Sequence, residues 1–269
     1  MDDALLVLLL TAAACAPLGV FLILRRLSMM ADAISHTVLL GIVLAFFVTH
    51  DLGSPWLLFG AALMGVVTVS LVELLGKTRL VKYDDAIGVI FPLLFALAVI
   101  LISKYAGNAH LDTDMVLMGE VIYAGLNTVG IGGVEIPAAA LKMGGLALLI
   151  AVFITVFYKE LKVSAFDGEY ARLIGVPTGI LFYAFMSLTS LTTVAAFDAV
   201  GAILVISFFI APGATALLFT KHLSHTLLLA LLVSMANSAL GYALAVHMNA
   251  SIAGLCAVIN MLVYLLALL

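Results

Sequence analysis

The chain has 269 residues, 65% of them hydrophobic and only 10% charged, with a formal net charge of -4. Soluble domains carry about 25% charged residues, so no water-facing surface can be assembled from this composition, and a soluble enzyme or a disordered scaffold is excluded. Eleven basic residues against fifteen acidic ones also exclude a phosphate-backbone partner, hence a nucleic acid. What remains is an all-α polytopic bundle in the lipid bilayer.

A hydrocarbon core of about 30 Å takes roughly 20 apolar residues per helical crossing. Runs of that order lie near 5–24, 32–49, 54–75, 86–103, 142–158, 178–195, 199–219, 226–247 and 251–269, which predicts eight or nine spans. Their hydropathy does not alternate as the strands of a membrane barrel would. The first run follows Asp2-Asp3 and ends in Arg25-Arg26, the reverse of the charge order of a cleaved signal peptide. Retention of basic residues in the cytoplasm then predicts an N-terminus outside and a C-terminus inside. That orientation places Arg25, Arg26, Lys77, Arg79, Lys82, Lys159, Lys162, Arg172 and Lys221 inside, with only Lys104 and Lys142 outside. Cys15 and Cys256 fall within apolar runs, without a metal-ligand pattern, and are expected to be packing residues. Gly41 with Ala45 and Ala61 with Gly65 have the four-residue spacing of close helix crossings.

The second run opens on Asp32-Ala33-Ile34-Ser35-His36. Residues four apart share a helical face, so Asp32 and His36 bring a carboxylate and an imidazole together. That donor pair suits a first-row divalent cation, and a two-fold dimer would present two of each to one point. The alternative is that Asp32 caps the helix and His36 is an ordinary hydrogen-bonded histidine. Gly76-Lys77-Thr78 resembles the end of a phosphate-binding loop, but Leu71 stands where that loop requires glycine.

The stretch 104–141 is expected outside. It holds His110, Asp112 and Asp114 at alternate positions, which suit either metal capture or partner docking, or simply a solvated loop. Residues 115–127 read as an amphipathic surface helix, followed by a flexible glycine-rich segment, 130–133. The polar stretch 159–177 is expected inside. In its 164–177 part, Asp167 can cap a short helix that Gly175 and Pro177 terminate, leaving Phe166 and Tyr170 exposed as a docking surface or a mere connector. At Phe197-Asp198 the apolar sequence breaks, either as a tight turn or as an interrupted helix, and Asp198 is read as a helix cap in preference to a pathway-lining residue. Pro212 is expected to kink or interrupt its helix, while His222, His225 and His247 stand at helix ends. No composition shift marks a second domain, so residues 1–269 are expected to form one membrane domain.

Three blocks together resemble the permease subunits of the manganese/zinc/iron family of ABC importers, the ABC-3 type. Residues Arg25 to His36 are similar to that family's Arg-Arg-x-Ser-x-x-x-Asp-x-x-x-His opening. Phe166-Asp167-Gly168-Glu169-Tyr170-Ala171 followed by Gly175-Val176-Pro177 is similar to its coupling segment, with Gly168 where many members have proline. Residues Gly201 to Ala216 are similar to its late Pro-Ala-Ala-Thr-Ala helix, with Gly213 where alanine is usual. The resemblance implies a non-enzymatic transport subunit of a prokaryotic plasma membrane, working as a homodimer or sometimes a heterodimer. Cytoplasmic ATPase subunits would dock at Phe166, Asp167, Glu169, Tyr170 and Arg172, and an extracytoplasmic metal-binding protein would deliver the ion. The family's coordinating pair falls on Asp32 and His36; manganese, zinc or iron would be cargo, with no resident cofactor. Two other readings are a permease for a metal chelate or cobalamin-like cargo, and a secondary carrier in which Asp32 and His36 relay protons.

Overall fold

The computed structural model describes residues 3–51, 54–78, 80–105, 128–131 and 134–269. Its elements in chain order are α1 (Asp3–Leu24), α2 (Met30–Thr49), α3 (Pro55–Lys77), α4 (Tyr83–Tyr105), β1 (Thr128–Ile131), β2 (Val134–Pro137), α5 (Ala138–Val156), α6 (Tyr158–Phe166), α7 (Gly168–Leu173), α8 (Thr178–Val200), α9 (Ala202–Phe219), α10 (Leu223–Met248) and α11 (Ile252–Leu268). Among the described residues eight helices, α1 to α5 and α8 to α10, are long and apolar enough to cross a membrane, and α11 is a shorter apolar helix of 17 residues. The expectation of eight or nine spans is met.

Two packed units are distinguished. The first contains Met1–Ser28, Met118–Thr178 and Ala196–Leu269. Within it α1 is the central helix, with Val7, Leu8, Ala12, Ala16, Phe21 and Leu22 fully buried. Gly19 explains how α1 comes so close to α9: any side chain there would overlap the Phe209 carbonyl. A polar string joins three helices of this unit. Asn237 Nδ2 on α10 donates to Asn260 Oδ1 on α11 at 2.8 Å, and Asn260 Nδ2 donates to Ser207 Oγ on α9 at 3.0 Å. All backbone bonds of a spanning helix are internal, so its neighbours are fixed by close packing and by side-chain bonds such as these.

The second unit contains Met29–Leu117 and Gly179–Ala195. Leu39 and Leu40 of α2, Met64 of α3 and Leu94 with Ala98 of α4 form a buried core. The small-residue spacing foreseen in the sequence is used: Gly41 packs on the Gly60 carbonyl, and Gly60 meets the Cβ of Ala45. Gly65 leaves room for Ser190 of α8, whose hydroxyl donates to the Ala62 carbonyl at 2.9 Å. Thr68 and Thr37 share a hydroxyl bond of 2.8 Å between α3 and α2.

Three local expectations change. The corner in 178–219 is a tight turn at Gly201, which takes φ 83, and not at Phe197-Asp198. Glycine carries no Cβ penalty in that left-handed region, which is why the turn falls there. Asp198 lies inside α8 and pairs with Lys142 at 3.2 Å, so it does not cap a helix. Gly130 and Ile131, read as part of a flexible segment, belong to β1, which pairs antiparallel with β2 from Thr128 with Pro137 to Ile131 with Val134. The helix expected over 115–127 lies outside the described residues, and α9 continues through Pro212.

Candidate metal site and coupling segment

Asp32 occupies the third position of α2, after the N-cap residue Met29. Met29 makes no side-chain cap, and the Asp32 carboxylate does not cap the helix either; its Oδ1 faces His36 Nε2 at 3.5 Å. A carboxylate in a first helical turn is favoured by the macrodipole. The separation is informative. It is long for a hydrogen bond, which lies near 2.7–3.2 Å. The 3.5 Å gap suits an imidazole–carboxylate ion pair, and it lies near the roughly 3.4 Å that separates two ligands of one tetrahedral cation. The two side chains are 26% and 37% exposed, so their polar ends are open to a ligand.

Second-layer contacts hold the pair. The His36 ring stacks on Phe91 at 5.6 Å and meets the edge of Phe95 at 5.7 Å, both from α4. The Ser35 hydroxyl donates to the Asp32 carbonyl. None of these rings was legible as a site residue, because α4 reads simply as an apolar span. Among the described residues no group of three or more His, Cys, Asp or Glu gathers at one point.

Residues 164–177 take in the end of α6 and the whole of α7. Asp167 ends α6 and caps α7, its Oδ1 accepting the Tyr170 N–H at 2.9 Å, as the sequence suggested. Gly175 at φ 85 then terminates the segment. Phe166 and Tyr170 are exposed, as expected, and Leu173 at 84% and Ile174 at 52% extend the apolar surface beyond the residues singled out. Glu169 is exposed; Arg172 is exposed too, but its Nε donates to Thr178 Oγ1 at 3.1 Å. Asp32 and His36 are therefore brought together on one helix, and Phe166, Asp167, Glu169, Tyr170 and Arg172 on another segment. His110, Asp112 and Asp114 lie outside the described residues. Lys77 of the Gly76-Lys77-Thr78 stretch pairs with Glu73 at 2.7 Å at the end of α3.

Eight long apolar helices with an Asp–His pair on one of them are the architecture of a polytopic membrane protein. The chain belongs to the ABC 3 transport family, whose sequence profile matches residues 1–269. It is 45% identical to the manganese transport system membrane protein MntD of Bacillus subtilis (strain 168), over 91% of this chain and 83% of that protein. It is 43% identical to the zinc transport system membrane protein TroD of Treponema pallidum (strain Nichols), over 94% of this chain and 69% of that one. The structure of PsaBC from Streptococcus pneumoniae in complex with Fab matches with a TM-score of 0.80 at 27% identity, covering 100% of this chain and 90% of that one.

Proposed function

We propose that this chain is the transmembrane subunit of an ATP-driven importer for a divalent transition-metal ion, manganese, zinc or iron(II), in a prokaryotic plasma membrane. The observation that carries the reading is the 3.5 Å approach of the Asp32 carboxylate to the His36 imidazole on a membrane-spanning helix. One oxygen and one nitrogen per chain become two of each in a two-fold permease dimer, enough to replace most of an ion's water shell. The ligand set must admit the ion yet release it, so a mixed oxygen–nitrogen site of modest strength fits better than a thiolate cage. The names of the manganese and zinc relatives agree with that donor chemistry.

Both packed units together form the single permease domain. The N-terminus lies outside, and the 164–177 segment faces the cytoplasm, where its exposed Phe166, Tyr170, Leu173 and Ile174 receive an ATPase subunit. Nucleotide-driven closure of two such subunits moves the segment and switches the access of the site. An extracytoplasmic metal-binding protein supplies the ion, with His110, Asp112 and Asp114 as its docking or capture residues.

Reconstitution of the permease with its ATPase and binding protein in vesicles tests this reading. ATP-dependent uptake of manganese(II), zinc(II) or iron(II) is expected, and Asp32→Ala or His36→Ala should reduce it at least a hundredfold, equivalent to about 2.7 kcal/mol, with assembly intact. Normal uptake in both variants would refute the role of the pair. Uptake that proceeds without the ATPase and collapses with the proton gradient would identify a secondary carrier instead.

A further inference from the structure

The end of α1 is unusual. Leu27 N–H bonds the Leu22 carbonyl at 2.8 Å, and Arg26 N–H bonds the Ile23 carbonyl at 3.0 Å, the double closure of a Schellman turn. The residue that must take the left-handed conformation there is usually glycine, but here it is Arg26, at φ 58. The preceding Arg25 is half-buried, and burial lowers the guanidinium pKa below its ordinary value. Its Nη2 reaches across 139 positions of sequence to donate to Ser164 Oγ at 2.7 Å. Ser164 lies on α6, two residues before the exposed Phe166, and its own hydroxyl donates to the Leu161 carbonyl at 3.1 Å.

The coupling segment is therefore hydrogen-bonded at both of its ends. Ser164 is held by Arg25 at its entrance, and Arg172 holds Thr178 at its exit. Both clamps stand directly before a place where the chain leaves the first packed unit for the second, at Ser28–Met29 and at Thr178–Gly179. The first of these crossings leads within four residues to Asp32.

We propose that Arg25 is a positioning residue for transport: through Ser164 it ties the end of α1 to the coupling segment, so that displacement of that segment is passed along the chain to Asp32 and His36. This rests on the importer reading above. A charge-assisted bond suits the task, because it is short, directional and stronger than a contact between neutral groups. An arginine at this position makes no contact with the ion in this account, and its removal should leave ion binding and ATPase docking untouched.

The test uses the reconstituted permease–ATPase–binding-protein complex with manganese(II) and zinc(II) as probes. Arg25→Gln and Ser164→Ala should each lower the number of ions imported per ATP hydrolysed about fivefold or more, the range of a typical coupling interaction. ATPase co-purification, ATP hydrolysis and equilibrium metal binding to the permease should be unchanged. Ser164→Thr, which keeps the hydroxyl, should restore the ratio. An unchanged ratio in Ser164→Ala, alongside an inactive Asp32→Ala, would overturn the clamp while leaving the importer reading standing. Loss of metal binding or of ATPase association in Ser164→Ala would also overturn it, since the bond would then be structural. Should Arg25→Gln fail to assemble, the Ser164→Ala and Ser164→Thr pair decides the matter. Absence of ATP-dependent uptake in the wild type would sink both proposals together.

Discussion

His36 owes its orientation to α4, where Phe91 and Phe95 close two sides of its ring and leave Nε2 turned toward Asp32. A metal-ligating histidine is only as good as the groups that fix its ring, and loss of such support commonly costs 10–100-fold in affinity. Phe91→Ala is therefore expected to weaken manganese(II) or zinc(II) binding to the purified permease by about tenfold. Uptake at saturating ion should largely persist, and equilibrium binding with an unchanged affinity would remove Phe91 from the site. The Asp32/His36 pair was readable in the sequence because its geometry is local, fixed by one helical turn. The aromatic walls were not, since nothing in an apolar run announces which phenylalanine faces which neighbour.

At the scale of elements, α7 has only six residues and cannot hold itself by propagation alone. The Asp167 cap contributes about 1 kcal/mol to it. Asp167→Ala should fray the helix that displays Tyr170 and Leu173 and weaken ATPase co-purification, whereas Asp167→Asn, which preserves the acceptor, should not. Equal co-purification of both variants would argue that the docking surface does not need a preformed helix. This cap was legible because an acidic residue stood before a short polar helix with a glycine stop behind it. The corner between α8 and α9 was misplaced for an equally physical reason: Asp198 drew attention as the polar break, yet its partner is Lys142, 56 positions away, and the turn itself needs only Gly201. The β1–β2 ribbon was hidden in the same way, because Gly130 in a strand reads as flexibility when its cross-strand partner, Glu135, is unknown.

For the molecule as a whole, the buried amides of the first unit matter more than their number suggests. Asn260→Leu removes the bonds to both Asn237 and Ser207 and strands their polar groups among apolar neighbours. Interhelical bonds of this kind are worth about 1–2 kcal/mol at most, so a fall of a few degrees in Tm is expected in detergent, with uptake measurable below it. An unchanged Tm would mean that packing alone sets these helices. The amide string has a geometric corollary. Sliding α10 or α11 by one turn would break the bond between Asn237 and Asn260, and sliding α9 would break the bond from Asn260 to Ser207. Relative sliding of these three helices is therefore opposed by the amide string as well as by their packing, which favours their displacement as one plate.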